Sequence, residues 1–151
     1  MFKDRLLRGA VAGIIAALYH LIWNLSSQYL FHFARVTWFE SMSQVIAGHS
    51  ITSTMDFIVS TGYLLIWNGF LGALFIRFVI PDRDGSYIGR AIGFSFIAWF
   101  FLQAIGTMHH VKTLDNVAWQ TILSNWIDVI IFGVVLGRLT QKWDQREAKK
   151  R

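Results

Sequence analysis

Asp128 is the residue of this sequence whose position most suggests chemistry, because it is the one charged side chain in the apolar segment 116–137. A carboxylate at the centre of a membrane-spanning helix costs about 2.5–3.5 kcal/mol on insertion scales, so it needs a partner, water or a proton. His20 is the other ionisable side chain expected at a similar depth. We therefore predict a His20–Asp128 contact. It would serve either as a proton-sensitive or solute-binding site, or as an interhelical hydrogen bond that fixes the packing.

Other polar side chains share helical faces with this pair. Asn24 follows His20 by four residues, and Asn125 precedes Asp128 by three, so each lies on the face of its neighbour. Gln103 shares a face of the third apolar segment with small residues. All of these residues except Asp128 fall in the outer halves of their segments. The sequence therefore predicts an outward-facing polar pocket formed by His20, Asn24, Gln103, Asn125 and Asp128.

The histidines also raise the question of a metal site. Zinc requires imidazole nitrogens at about 2 Å from one ion. His109 and His110 are adjacent, so on a helix they diverge by about 100° and do not form the i, i+4 pair that suits zinc. We keep His49, His109 and His110 as weak metal candidates and predict no cofactor.

Enzyme motifs are absent from the sequence. It contains no G-x-S-x-G, H-E-x-x-H or Walker-type segment, and it has no Cys to form disulfides or thiolate metal ligands. Glu40 and Asp56 are carboxylates expected near the outer interface. They leave an enzyme acting on a lipid or quinone at the outer leaflet as the least supported alternative.

The elements that must position these residues are membrane-spanning helices. The chain is 54% hydrophobic and only 15% charged, whereas a soluble domain carries about 25% charged residues. Four apolar segments approach the roughly 20 residues that a helix needs to cross the hydrocarbon. We predict an all-α protein, a single membrane domain over 1–151 with an antiparallel four-helix bundle. The spans are about 9–31, 55–77, 88–107 and 117–138, followed by a basic tail, 139–151.

Basic residues predict the threading. Of the 14 Lys and Arg residues, all but Arg35 and Lys112 flank the same side of the bundle. The positive-inside rule therefore places both termini in the cytoplasm of a cell-membrane protein. These residues form three patches beside the membrane, so lipid is the expected partner and nucleic acid is not.

Glycines at four-residue spacing lie at several helix ends. Such spacing lets helix backbones approach closely in lipid, and it predicts helix packing together with association with a second copy or another membrane protein. The glycines concerned are Gly9, Gly13, Gly89, Gly93, Gly133 and Gly137.

The connections carry three further signals. The stretch 34–48 mixes apolar and polar residues and ends in Gly48, which predicts a short interfacial helix at the outer surface. The segment 81–86, PDRDGS, is interpreted as a turn. The hexapeptides YHLIWN at 19–24 and YLLIWN at 63–68 match at five positions, and we interpret them as shared use of Trp and Asn in packing.

The order of several glycine-rich and aromatic segments resembles the YqhR-type membrane proteins of spore-forming Firmicutes. These segments are RGAVAG (8–13), YLFHF (29–33), AGH (47–49), GFLGALFIRFVIP (69–81) and FGVVLG (132–137). The YagU-like inner-membrane proteins share the four-span layout but carry a His in the last helix, where this chain has Asp128. Neither resemblance implies an activity or a catalytic residue.

Two main functional interpretations follow from the sequence. The leading one is a non-enzymatic membrane component that acts through helix–helix association. The alternative is binding or transport of a small solute, proton or metal through the pocket around His20 and Asp128.

Overall fold

The computed structural model of the chain describes residues 4–80, 86–112, 114 and 117–149. These ranges are almost entirely helical and contain no β-strand. The four helices long and apolar enough to cross a membrane confirm the all-α prediction, and they are Arg5–Leu30, Thr54–Val79, Tyr87–Met108 and Trp119–Ala148. Most of the predicted turn at 81–86 lies outside the described residues.

We label the α-helices in chain order. They are α1 (Arg5–Leu25), α2 (Trp38–Ala47), α3 (Thr54–Leu74), α4 (Tyr87–Met108) and α5 (Trp119–Ala148). One π-helical turn extends α1 to Leu30, and another extends α3 to Val79. The short helix predicted within 34–48 is therefore present as α2.

Side-chain caps set where most of these helices begin. Thr37 accepts a hydrogen bond from the Glu40 amide at the start of α2, and Ser53 and Asp56 form a capping box at the start of α3. These bonds satisfy amide groups that have no partner within the helix. Gly48 ends α2 with a φ of 75°, a left-handed conformation that glycine adopts without a steric penalty.

Helix α5 is longer than the sequence predicted. It runs for 30 residues to Ala148, so most of the segment expected as a basic tail continues the helix. At 1.5 Å per residue it is about 45 Å long, compared with about 30 Å of hydrocarbon in a bilayer. Thr140 and Asp144 lie in this extension and are buried, because the other helices pack against it.

Glycines determine how closely the helices approach. A Cβ atom at Gly13 would collide with the carbonyl oxygen of Asn68, so α1 lies directly against the α3 backbone. A Cβ at Gly133 would lie 2.7 Å from Ile92 Cα, and one at Gly137 would lie 2.7 Å from Ile88 Cα. Four of the six glycines singled out from the sequence therefore pack within this chain: Gly9, Gly13, Gly133 and Gly137.

Gly89 and Gly93 behave differently from these four. In the described part of the chain, nothing lies within 4 Å of a Cβ built at Gly93, and only Ser86 approaches one at Gly89. Both glycines are exposed on the surface of α4. The close approaches within the bundle therefore do not use them.

The helices pack in the order α3, α1, α5, α4, with α1 between α3 and α5 and with α4 against α5. Over most of their length α3 and α4 are not in close backbone contact in the described structure. Large side chains from both helices fill much of the space between them, including Phe75 and Phe94, whose ring centroids are 5.7 Å apart. This gap between α3 and α4 contains the cavity described next.

Candidate functional site

The centre of the candidate site is a contact between α1 and α5. His20 Nδ1 lies 2.9 Å from Asp128 Oδ2, and His20 and Asp128 are 6% and 2% exposed. Asn24 Nδ2 donates to the same carboxylate oxygen at 2.6 Å. A buried carboxylate is destabilised by the loss of water, and these two donors provide part of the compensation.

Asn24 also connects the pair to helix α2. Its Nδ2 donates a second hydrogen bond to the His20 carbonyl oxygen at 2.9 Å, and its Oδ1 accepts the Phe39 amide proton at 3.4 Å. One amide side chain therefore joins Asp128 to the first turn of α2. This arrangement fixes the orientation of both Asn24 and the carboxylate.

A polar seam extends from Asp128 along the α1–α5 interface toward the end of the bundle that carries α2. Ser27 Oγ and Ser124 Oγ are 2.6 Å apart, and Trp23 Nε1 donates to the Ser124 carbonyl oxygen at 3.1 Å. Nearer that end, the Arg35 amide donates to Thr121 Oγ1 at 3.2 Å. The first two bonds hold α1 and its extension against α5, and the third holds the following loop against α5.

A cavity of about 40 Å³ lies beside the His20–Asp128 pair. At about 10–15 Å³ for each water-sized probe, this is space for two to four water molecules or a very small polar group. Side chains from all five helices form its wall. They are His20, Trp38, Trp67, Asn68, Leu71, Ser95, Ala98, Trp99, Leu102, Asp128, Val129 and Phe132.

Four side chains of this wall carry a buried polar atom that has no hydrogen-bond partner in the described structure. The atoms are His20 Nε2, Trp67 Nε1, Trp99 Nε1 and Asp128 Oδ1. They come from α1, α3, α4 and α5. Native proteins leave few buried polar atoms unpaired, because each costs about 1–3 kcal/mol. All four side chains line the same cavity, which makes it the candidate binding site of the described structure.

Buried apolar clusters lie toward both ends of this cavity. Trp38, Met42 and Leu114 form a buried apolar cluster at the end that carries α2. Phe75, Phe132 and Leu136 belong to the main core on the other side. The sequence predicted a pocket open to the outside, whereas in the structure Trp38 of α2 contributes to its wall.

The structure brings together three of the five predicted pocket residues, namely His20, Asn24 and Asp128. Asn125 is buried at 6% exposure, but it is absent from the cavity wall as described. Gln103 is half-buried on α4 and is likewise absent from that wall. Helical periodicity assigned both residues to plausible faces, but it could not determine how α4 and α5 rotate about their axes.

Sequence reasoning did not assign the three tryptophans of the wall, Trp38, Trp67 and Trp99, to the pocket. Trp67 belongs to the second hexapeptide, YLLIWN, and its neighbour Asn68 also lines the cavity. The first hexapeptide supplies His20 and Asn24, so the repeat did indicate residues of one site. Trp99 had no such signal, because α4 is apolar on nearly every face.

The remaining histidines lie elsewhere. His49, His109 and His110 line a separate crevice together with Lys112. In the part of the chain that the structure describes, no group of three or more His, Asp or Glu side chains is arranged to hold a metal ion. Asp56 Oδ2 accepts the Thr52 and Ser53 amide protons at 3.0 and 2.9 Å, so this carboxylate caps α3.

A second buried charged cluster lies at the opposite end of the bundle. Asp144 Oδ2 accepts hydrogen bonds from Arg5 at 3.0 Å and from the Tyr87 hydroxyl at 3.0 Å. Its Oδ1 lies 3.4 Å from Arg8 Nη1, and Arg5 also donates to the Ile80 carbonyl oxygen at 2.6 Å. The cluster therefore ties together the starts of α1 and α4, the end of the α3 extension, and α5.

A comparison with protein-family models, curated proteins and solved structures finds no match to this chain. The resemblance to YqhR-type proteins therefore stays a prediction from the sequence.

Proposed function

We propose that this chain is a multi-pass membrane protein that binds a small uncharged polar group in the cavity beside His20 and Asp128. One observation carries the proposal: four side chains from four helices, each with an unpaired buried polar atom, line that single cavity. A role limited to fixing helix register would be fulfilled by the His20–Asp128 and Asn24–Asp128 bonds alone. It would leave the two indole N–H groups unexplained.

The charges around the cavity favour an uncharged ligand. The ion pair of protonated His20 with ionised Asp128 and the pair of neutral His20 with protonated Asp128 both have no net charge. With either pair, a charged ligand would lack a counter-charge in a site of low dielectric, which is strongly unfavourable. Both pairs leave the same groups in the wall, three N–H donors and one carboxyl oxygen as acceptor.

In this proposal the helices cross the cell membrane in alternating directions with both termini in the cytoplasm, as the distribution of Lys and Arg predicts. The Asp144 cluster then lies on the cytoplasmic side, and α2 lies at the outer surface. The proposed site is near the middle of the bilayer, since Asp128 precedes Asp144 by 16 residues on α5, or about 24 Å of helix.

Native mass spectrometry of the protein released from mild detergent tests this function. We expect the wild type to carry a low-mass bound molecule that Asp128→Asn loses. Ser124→Ala is the matched control, because it removes a buried polar group one turn away on α5 without altering the cavity wall. A wild type that carries no bound molecule, with Asp128→Asn equally stable, would refute the binding role.

A second candidate role is association with a second copy or another membrane protein. The exposed face of α4 supports it, because Gly93 leaves open space that a neighbouring helix could occupy. The glycines of α1 and α5 do not support it, since they already pack inside the chain. Crosslinking in membranes tests this role: Gly93→Leu should abolish dimers while the folded monomer remains, and unchanged dimers would exclude this face.

A further inference from the structure

The surface next to the cavity contains an apolar groove of about 560 Å³ between α4 and α5. Its wall is formed by aromatic and aliphatic side chains, and it lies within the membrane-spanning part of α4. The lining residues are Phe96, Ile97, Trp99, Phe100, Phe101 and Trp126.

Trp99 belongs to the walls of both the groove and the polar cavity. It is the residue that the two walls share, so its ring separates the lipid-facing groove from the His20–Asp128 pair. Its Nε1 is buried and unpaired. We expect a rotation of this side chain to open a path between the groove and the cavity.

The apolar clusters at the two ends of the cavity make this flank the favoured route for a ligand. On the α2 side, Trp38 and Met42 are each 6% exposed and pack with Leu114. On the Asp144 side, Phe75 and Leu136 are fully buried. A water-soluble ligand would have to displace one of these clusters, whereas a ligand dissolved in the bilayer would have to displace Trp99 alone.

We propose that the ligand is an amphiphile from the bilayer whose uncharged hydroxyl head reaches the cavity while its hydrocarbon tail occupies the groove. This inference rests on the proposed binding function and names its ligand class. A hydroxyl group donates one hydrogen bond and accepts up to two. It therefore fits Asp128 Oδ1 as acceptor and the indole N–H groups of Trp67 and Trp99 as donors.

The aromatic ring of a quinol is too large for a cavity of about 40 Å³, since a cavity that holds a benzene ring measures about 150 Å³. Lipid alcohols supply the same chemistry with a smaller head, a hydroxyl group on an apolar tail. The groove supplies the apolar contact that distinguishes them from a water-soluble alcohol. Apolar burial contributes about 25 cal/mol for each Å² removed from water. A tail that moves from lipid into the groove gains much less free energy than one that leaves water, so the head group provides the selectivity.

Fluorescence quenching of three tryptophans can measure where the head and the tail of the bound amphiphile lie. Trp67 lines only the cavity, Trp126 only the groove, and Trp99 both. The probes are two long-chain primary alcohols, one brominated beside the hydroxyl and one at the far end of the tail. The matched controls are a bromoalkane of the same length without the hydroxyl, and water-soluble bromoethanol.

We expect saturable quenching by both long-chain alcohols in bilayers. Trp67→Phe should remove much of the quenching by the head-brominated alcohol, and Trp126→Phe much of the quenching by the tail-brominated one. Asp128→Asn keeps the side-chain shape, and Trp99→Phe removes the indole N–H together with one ring. Each should weaken binding about tenfold, because each removes one hydrogen bond to the hydroxyl head. Excess unlabelled polyprenol should compete with the brominated alcohols, whereas ubiquinol should not; competition by ubiquinol alone would reject a lipid alcohol as the ligand.

Other outcomes would overturn the inference in distinguishable ways. Equal quenching by the bromoalkane would mean that the groove is ordinary lipid-contact surface. Saturable quenching of Trp67 by bromoethanol, without binding of the long-chain alcohols, would retain the proposed function and reject access from the bilayer. If no probe bound saturably, both the inference and the proposed function would fail.

Discussion

Replacing Asp144 by Asn should destabilise the protein strongly, and the structure allows the size of the effect to be worked out. Asp144 is 3% exposed and Arg8 is 2% exposed. Asn keeps the size of the side chain but removes the negative charge, so Arg8 is left as a buried cation without a counter-charge. Breaking a buried ion pair from one side costs about 3–5 kcal/mol. We expect a decrease of this size in the free energy of unfolding.

Arg5 provides the comparison, since its side chain is 23% exposed and can recover water when a partner is lost. Arg5→Gln should therefore cost less, about 1–2 kcal/mol. The double variant Arg8→Met with Asp144→Leu replaces the buried pair by apolar groups of similar size. It should recover most of the stability, because such replacements are often neutral or favourable.

The free energy of unfolding of all four proteins can be measured by reversible unfolding in mixed micelles of mild detergent and sodium dodecyl sulfate. Circular dichroism follows the loss of helix. From most to least stable, the expected order is wild type, Arg5→Gln, Asp144→Asn. If Asp144→Asn unfolds within about 1 kcal/mol of the wild type, Arg8 reaches water and the cluster is not a buried clamp.

Two further predictions use other parts of the bundle. Gly137→Leu should destabilise the protein by at least about 1–3 kcal/mol, because the added side chain has no space against α4. Gly93→Leu should leave the unfolding transition unchanged. Equal effects of the two substitutions would show that α5 does not approach α4 closely. The sequence has no Cys, so a maleimide labels a single-Cys variant only at the introduced residue and reports which side of the membrane it is on. Lys112→Cys should react with an impermeant maleimide added to intact cells. Arg146→Cys should react only after permeabilisation. The reverse labelling pattern would overturn the proposed orientation.

Much of this fold could be predicted from local sequence. Four apolar segments of the right length predict four helices, and Gly48 after the stretch from Ala34 predicts the end of α2. The His20–Asp128 contact was also predictable, because two ionisable groups at similar depth in an apolar bundle have few other partners. Each of these inferences depends on composition and helical period, and both are properties of short stretches of chain.

The Asp144 cluster shows where local reasoning failed. Asp144 lies in the segment 139–151, which we predicted as a basic tail from its charge. However, Gly133, Gly137, Thr140 and Asp144 continue one helical face at spacings of four, three and four residues. That spacing was a usable signal. The burial of Asp144 could not be derived from it, because burial depends on Arg5, Arg8 and Tyr87 arriving from two other helices.

The sequence by itself determined the class of the protein, the number of long apolar helices and the residues that need polar partners. Only the tertiary structure decided which of those residues meet. Helix rotation is set by close backbone approaches such as Gly13 against Asn68, and these bring Trp67 and Trp99 to the cavity while Gln103 stays outside it. An apolar helix can turn any face inward at little difference in free energy, so its neighbours select the face that forms the site.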